Sequence, residues 1–206
     1  LRTFILGILV FLFALSTQTA IAADRIGTVV RVQAFAEAVT MTKRRTLEVD
    51  TPIYKNDLLV TGSGARLEVA LIDETSLTLG EEAEIAISDL DMTSGQESAG
   101  LELIRGAFLV VTGAVAKAAP DRFQVKTPYA TIGIRGTTFW GGPLDDPFSV
   151  LLLDGEIEVR NPGGSVILKP NQGTDIADPD QAPEAPGAWS DDKRTRAFAT
   201  ITFNDN

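Results

Sequence analysis

The chain has no cysteine and no histidine in 206 residues. The first absence excludes thiol catalysis, iron–sulfur clusters, cysteine-ligated zinc and a lipid anchor on a cysteine. A chain without thiols also passes through an oxidising compartment with no risk of mispairing. The second absence removes the commonest general base at neutral pH and the commonest metal ligand, so serine–histidine hydrolysis is excluded. Aromatic residues are sparse, at 7%, and scattered, so an aromatic-lined pocket for a small molecule or saccharide is not evident. Positive charge is also short: 18 basic residues stand against 28 acidic ones, a formal net charge of −10. With no basic stripe to break it, that surplus repels nucleic acid, and it suits a soluble exported surface.

Long apolar runs are almost missing too. From Phe4 to Leu15 the sequence is nearly all apolar, but a run of about a dozen residues is too short to cross a bilayer of about 30 Å as a helix. Arg2 precedes it, the polar Ser16-Thr17-Gln18-Thr19 follows, and Ala20-Ile21-Ala22 places small residues where a signal peptidase reads them. Cleavage is therefore expected between Ala22 and Ala23, making residues 1–22 a signal peptide. The mature protein is expected in the periplasm, with no stable membrane span; an uncleaved anchor is the competing reading.

What remains is 44% hydrophobic, enough for a core in one domain plus short appendages. Beyond Asp24 it reads as short strands between turn residues. Ile26 to Val32 and Ala34 to Met41 are expected to form a first pair, and Thr42-Lys43-Arg44-Arg45 a polar turn whose basic residues are a solvated hairpin tip. Leu67 to Leu79, turning at Asp73-Glu74, is expected to be a hairpin. Thr93 to Gly100 reads as a surface loop, and Ala114 to Pro120, short and bounded by Gly113, as a loop rather than a helix. Phe148 to Leu153 suits a strand covered on both faces, with Asp154-Gly155 turning it back into Glu156 to Val159. A unit of strand, glycine-bearing corner, strand recurs, which suits a β-sandwich or a short irregular β-solenoid. Asp178 to Gly187 has the composition of a proline-rich linker, and Ser190-Asp191-Asp192 is a helix start signal in the tail.

The densest stretch runs from Phe123 to Phe139. Phe123 and Val125 alternate with Gln124 and Lys126 as in a half-buried strand, and Thr127-Pro128 ends it by removing a backbone donor. Ala130, Ile132 and Ile134 then share one face of a second strand. Gly133 and Gly136 bracket Arg135 where the backbone must bend or approach another segment closely. This stretch resembles the signature of the FecR domain, a periplasmic all-β module, with Thr127, Pro128, Ile132, Gly133, Arg135, Gly136, Thr137 and Phe139 as the residues that carry the likeness. Ile26-Gly27-Thr28-Val29, the run Val49 to Asp57, Thr61 to Arg66, Leu67 to Gly80 and Arg105-Gly106-Ala107-Phe108 resemble further sections in the same order, so the likeness covers roughly residues 26–176. The best-known members of that family are transmembrane regulators whose cytoplasmic portion controls a sigma factor and whose periplasmic portion listens to an outer-membrane transporter. So few residues precede the apolar run here that sigma-factor control is not expected to carry over.

Carboxylates are the acid–base groups on offer. Asp73/Glu74, Glu81/Glu82, Asp145/Asp146 and Asp191/Asp192 are sequence neighbours, which in a strand point to opposite faces, so turn and surface roles are expected. Calcium ligation by Asp175, Asp178 and Asp180 is disfavoured by the prolines among them and by the lack of a glycine-centred loop. Arg135 is expected to lock a corner by forking onto backbone carbonyls or a buried carboxylate, with reception of an anionic ligand as the alternative. Phe139 and Trp140 are expected to plug the core, Trp140 alternatively serving as a partner contact. The whole reads as an all-β domain over residues 23–177 with a linker and tail at 178–206. It is expected to be a non-enzyme without cofactor or metal, binding or signalling through an envelope protein or cell-wall component. A saccharide or small-molecule module is the alternative, and a carboxylate hydrolase the more distant one.

Overall fold

The computed structural model describes residues 24–204, so the expected cleavage site at Ala20, Ala22 and Ala23 lies outside the described residues. Strands come first and dominate: β1 (Arg25–Gln33), β2 (Ala36–Val39), β3 (Arg44–Thr46), β4 (Pro52–Tyr54), β5 (Leu58–Thr61) and β6 (Arg66–Leu71). β7 (Ser76–Leu79), β8 (Glu84–Asp91), β9 (Ser98–Arg105) and β10 (Phe108–Val111) follow, then a short helix α1 (Ala114–Ala118). After β11 (Phe123–Lys126) come two long strands, β12 (Thr131–Gly142) and β13 (Phe148–Asn161). The chain closes with β14 (Gly164–Leu168), β15 (Gln172–Ile176), the two-residue β16 (Gly187–Ala188) and α2 (Asp191–Ala199).

All sixteen strands belong to one continuous sheet. It curls because β12 and β13 each serve two wings. Thr131 to Gly133 of β12 pair with β11, whereas Thr138 to Gly141 pair with β10. In the same way, Ile157 to Asn161 of β13 pair with β14 and Phe148 to Leu151 with β15. One wing therefore runs β3-β2-β5-β8-β9-β11-β12, and the other β12-β10-β7-β6-β1-β4. A single core lies between them, filled by Ile85, Leu101 and Val125 from the first wing and Leu67, Leu77 and Phe108 from the second. Among the described residues only β9 and β11 pair in parallel, so of the two expected architectures the arrangement is nearer the sandwich than a stack of parallel coils.

The recurring glycine-bearing corners are the crossings between wings: Gly62-Ser63-Gly64 carries β5 into β6, Gly80 carries β7 towards β8, and Gly106 carries β9 into β10. The expected pairing of Ile26–Val32 with Ala34–Met41 does not occur, for the same reason. β1 pairs with β4 and β6, while β2, beyond a crossing at Ala34 (φ 56°), pairs with β3 and β5. The basic turn is also corrected. Arg45 bends inward, donates to Pro52 O at 3.0 Å and pairs with the buried Asp57 carboxylate, which accepts from Tyr54 N as well. Ala114–Ala118 is helical after all, because its first turn is docked: Ala114 N donates to Asp73 O at 2.7 Å and Gly113 N to Thr75 Oγ1 at 3.0 Å, both in the turn between β6 and β7.

Asp154-Gly155 is not a turn. β13 continues through it: Gly136 (φ 60°) and Thr137 of β12 bulge opposite the single residue Gly155 (φ 88°), and a second slip between Thr138 and Phe139 leaves Leu153 as the extra residue of β13. The two long strands bend together at this point, and the bend is what turns one sheet into two wings.

Candidate functional site

The signature stretch folds as a hairpin with a dictated turn. Thr127 Oγ1 accepts from Tyr129 N and Ala130 N at 3.1 and 2.9 Å, while Pro128 presets the turn dihedral. Ile132, Ile134 and Phe139 then point into the core at 0% exposure, Phe139 meeting Phe108 edge-on at 5.6 Å. Thr137 is tied to Thr112, whose hydroxyl accepts from Thr137 N at 2.7 Å. Most of the signature therefore serves the fold. Gly133 and Arg135 are among those that face outward instead.

These two line an open groove of about 390 Å³ on the outer face of the first wing. Its floor is the backbone at Gly133, which pairs with Gln124 on one side and Glu158 on the other. Asp121, in a 3₁₀ turn (Pro120–Arg122), and Arg135 form one end; Glu156, Glu158 and Arg160 of β13 form a column along one side, with Ile167 of β14 at the rim. Alternation explains the column, since residues two apart in a strand share a face and stand about 7 Å apart. No aromatic side chain lines the groove. Sequence reading passed over Asp121, Glu156, Glu158, Arg160 and Ile167; the alternation in Glu156-Ile157-Glu158-Val159-Arg160 was the available signal.

Residues 57–158, about half of the chain, match the family model described as FecR protein. The chain carries a FecR domain. Its signature strand, both bulges and Glu156 and Glu158 of the column fall inside the matched range, whereas β1 to β4 and everything after Glu158 fall outside it. Two crystal structures of a "putative anti-sigma factor" from Parabacteroides distasonis superpose with TM-scores of 0.52 and 0.53 at 18% identity, each over 67% of this chain. The likeness is one of fold, and it spans 62% of the length of those chains. No curated protein matches the chain.

Within the FecR domain, Arg135 does not make the lock expected of it. Its side chain is 63% exposed, and its ion pair is a 3.3 Å contact with Asp121, itself 82% exposed. Such a pair is worth about 0–1 kcal/mol. The reason is its position one residue before the bulge, on the outward face opposite Glu156. Arg135→Ala is accordingly expected to change the melting temperature by no more than about 4 °C, measured by differential scanning calorimetry.

Trp140 plugs a core as expected, and its partner-contact alternative falls. It is 0% exposed, covered by the chain's own C-terminal segment. Phe139 and Trp140 point to opposite faces of β12, so Trp140 enters a second, smaller core on the outside of the second wing with Ala107, Leu151, Ala197 and Ile201. Its Nε1 donates to Thr200 Oγ1 at 3.0 Å, and Trp189 packs edge-on at 5.9 Å. The tail helix is the one its start signal indicated: Ser190 Oγ accepts from Lys193 N, and Asp191 and Asp192 occupy the first turn. At the other end, the buried Arg66 guanidinium donates to Ala199 O at 3.1 Å. Asp145 takes Arg196 in a two-pronged pair at 2.7 and 2.9 Å, and Asp175 takes Lys193, so two acidic residues singled out in the sequence hold down α2.

These pairs set the pH response. The hydrogen bond from Arg196 holds the Asp145 carboxyl below its usual value. Burial pushes Asp89 up, but hydrogen bonds from Ser98 and Lys55 outweigh it, leaving that carboxyl low, and the bond to Asp89 in turn raises Lys55. A lowered carboxyl contributes stability that is present above its unfolded value of about 3.9 and is lost as pH falls through the folded one. A raised lysine contributes stability that is present below about 10.4 and is lost as pH rises through its folded value. With no histidine to titrate between them, the melting temperature is expected to be flat from about pH 5.5 to 9 and to fall below about pH 4. Asp145→Asn should flatten part of that acid limb in a pH series of thermal melts.

Proposed function

We propose that this chain is an exported, non-catalytic FecR-domain module of the cell envelope that acts in signalling by recognising another protein. The match to the FecR model over residues 57–158 carries the reading. The structural neighbours named as anti-sigma factors support a regulatory role, and regulators of that kind work through protein contacts. The apolar run at Phe4–Leu15 followed by Ala20-Ile21-Ala22 supports export. In the groove, Glu156 and Glu158 are exposed on one strand face, whereas a general acid needs a carboxyl taken out of water. The lack of aromatic lining disfavours a saccharide site.

The test is co-purification of the tagged chain from crosslinked envelopes of the cell that encodes it. One stoichiometric protein partner in the periplasmic or membrane fraction is the expected result. A precursor recovered intact from the cytosol would overturn export, and turnover of any substrate abolished by Glu158→Gln would overturn the non-catalytic reading.

A further inference from the structure

The FecR signature contains one glycine that the fold does not require. Gly133 sits in the regular part of β12 without the left-handed backbone of Gly136, and a Cβ built on it meets no atom within 4 Å. Glycine in a strand interior weakens the strand and packs nothing, so its usual uses are a bulge or the close approach of something else. The bulge lies elsewhere, at Gly136. What Gly133 leaves is a notch in the groove floor, open to solvent and in register with Glu158.

The side of the notch carries charges that are not used up internally. Among the described residues Glu156, Glu158 and Arg160 are exposed and make no ion pair, and they stand in a row at alternate positions of β13. Arg135 stands beside the notch, directly opposite Glu156 at the acidic end of that row. We propose that this groove receives an extended peptide segment of the protein partner, lying over the backbone of Gly133. Its side chains at every second position would read basic, basic, acidic, matched to Glu156, Glu158 and Arg160. An extended strand has the same alternate-residue spacing as the column it would lie along, so each charge meets its opposite without either chain bending. Ile167 at the rim supplies apolar contact beside the charges. The inference rests on the protein-binding reading above and adds to it the surface and the sequence pattern recognised.

The test uses the full chain and two capped heptapeptides, Thr-Lys-Thr-Lys-Thr-Glu-Thr and its charge-reversed counterpart, titrated calorimetrically at low salt. The first is expected to bind at least ten-fold more tightly than the second. Gly133→Val, which fills the notch with a β-branched side chain, should abolish that binding while leaving the melting temperature unchanged or higher. Glu158→Lys, an exposed change that needs no repacking, should cut the preference at least ten-fold and guards against a folding defect in the first variant. Equal binding of the two peptides, no binding of either, or binding indifferent to both variants overturns the groove. So does binding of chitotriose that is lost in Gly133→Val, which would make the notch a saccharide site. If the peptides fail while a partner still co-purifies with the chain, the inference falls and the protein-binding reading stands; if no partner co-purifies, that reading falls first.

Discussion

Trp140→Ala is expected to lower the melting temperature by on the order of 10 °C and to free the C-terminal segment. Removing a fully buried tryptophan typically costs about 3–5 kcal/mol, and in a chain of this size each kcal/mol moves the midpoint by about 2–4 °C. The packing here justifies that range. Trp140 is the largest side chain in a core of five buried residues, two of which, Ala197 and Ile201, arrive from the tail. Its indole also holds Thr200, so truncation removes a hydrogen bond from the same segment. α2 buries little else, since Ala197 is its one buried residue; its other ties are the hydrogen bond from the buried Arg66 to Ala199 O, the largely buried Lys193–Asp175 pair and the half-exposed Arg196–Asp145 pair. Without Trp140, residues 189–204 should therefore become accessible to protease under conditions where the two-winged sheet is intact. Hydrogen exchange on the variant checks both parts: fast exchange in α2, with slow exchange kept in β6 to β13. If α2 stays protected while the midpoint drops, the ion pairs from Asp145 and Asp175 carry more of the docking than the second core does.

What the sequence disclosed follows the range over which each signal acts. Alternation at Phe123/Val125 and at Ile132/Ile134 is local, and both pairs are buried as the pattern demands. The cap at Ser190 is equally local, and its helix is present. The errors lie where the deciding contact comes from far along the chain. β1 and β2 read as partners because they are adjacent, but the chain changes wing between them, and the strands that claim β1 follow Thr51 and Ala65. For Trp140 the partner-contact alternative to a core plug stayed open because its cover, about fifty residues later, lies outside the FecR likeness. Arg135 read as a lock because glycines flank it, yet only one of those glycines shapes the backbone. The groove itself was half visible: Gly133 and Arg135 were singled out, but the charges that face them sit on β13, which was expected to be two strands.

That misreading of β13 leads to a large effect expected of a single-methyl change. Gly155→Ala should destabilise the domain by about 2–5 kcal/mol, combining about 1–2 for a left-handed backbone at a residue with a Cβ and about 1–3 for overpacking. Gly155 has φ 88°, and its missing Cβ would fall on Gly136 O, well inside contact distance, and 2.7 Å from Thr137 Cγ2. Gly136 itself is a different case. It also has a positive φ, but a Cβ there meets nothing within 4 Å, so Gly136→Ala should cost only the backbone strain, about 1–2 kcal/mol. Gly136→Asn, which tolerates that conformation, should cost less still. Three glycines of the paired strands β12 and β13 thus predict three outcomes: little or no loss at Gly133, moderate loss at Gly136 and severe loss at Gly155. Chemical denaturation of the three alanine variants checks the order. Equal losses at all three would mean that the paired bulge is soft and that the curl of the sheet is set by its core rather than by the backbone at Gly136 and Gly155.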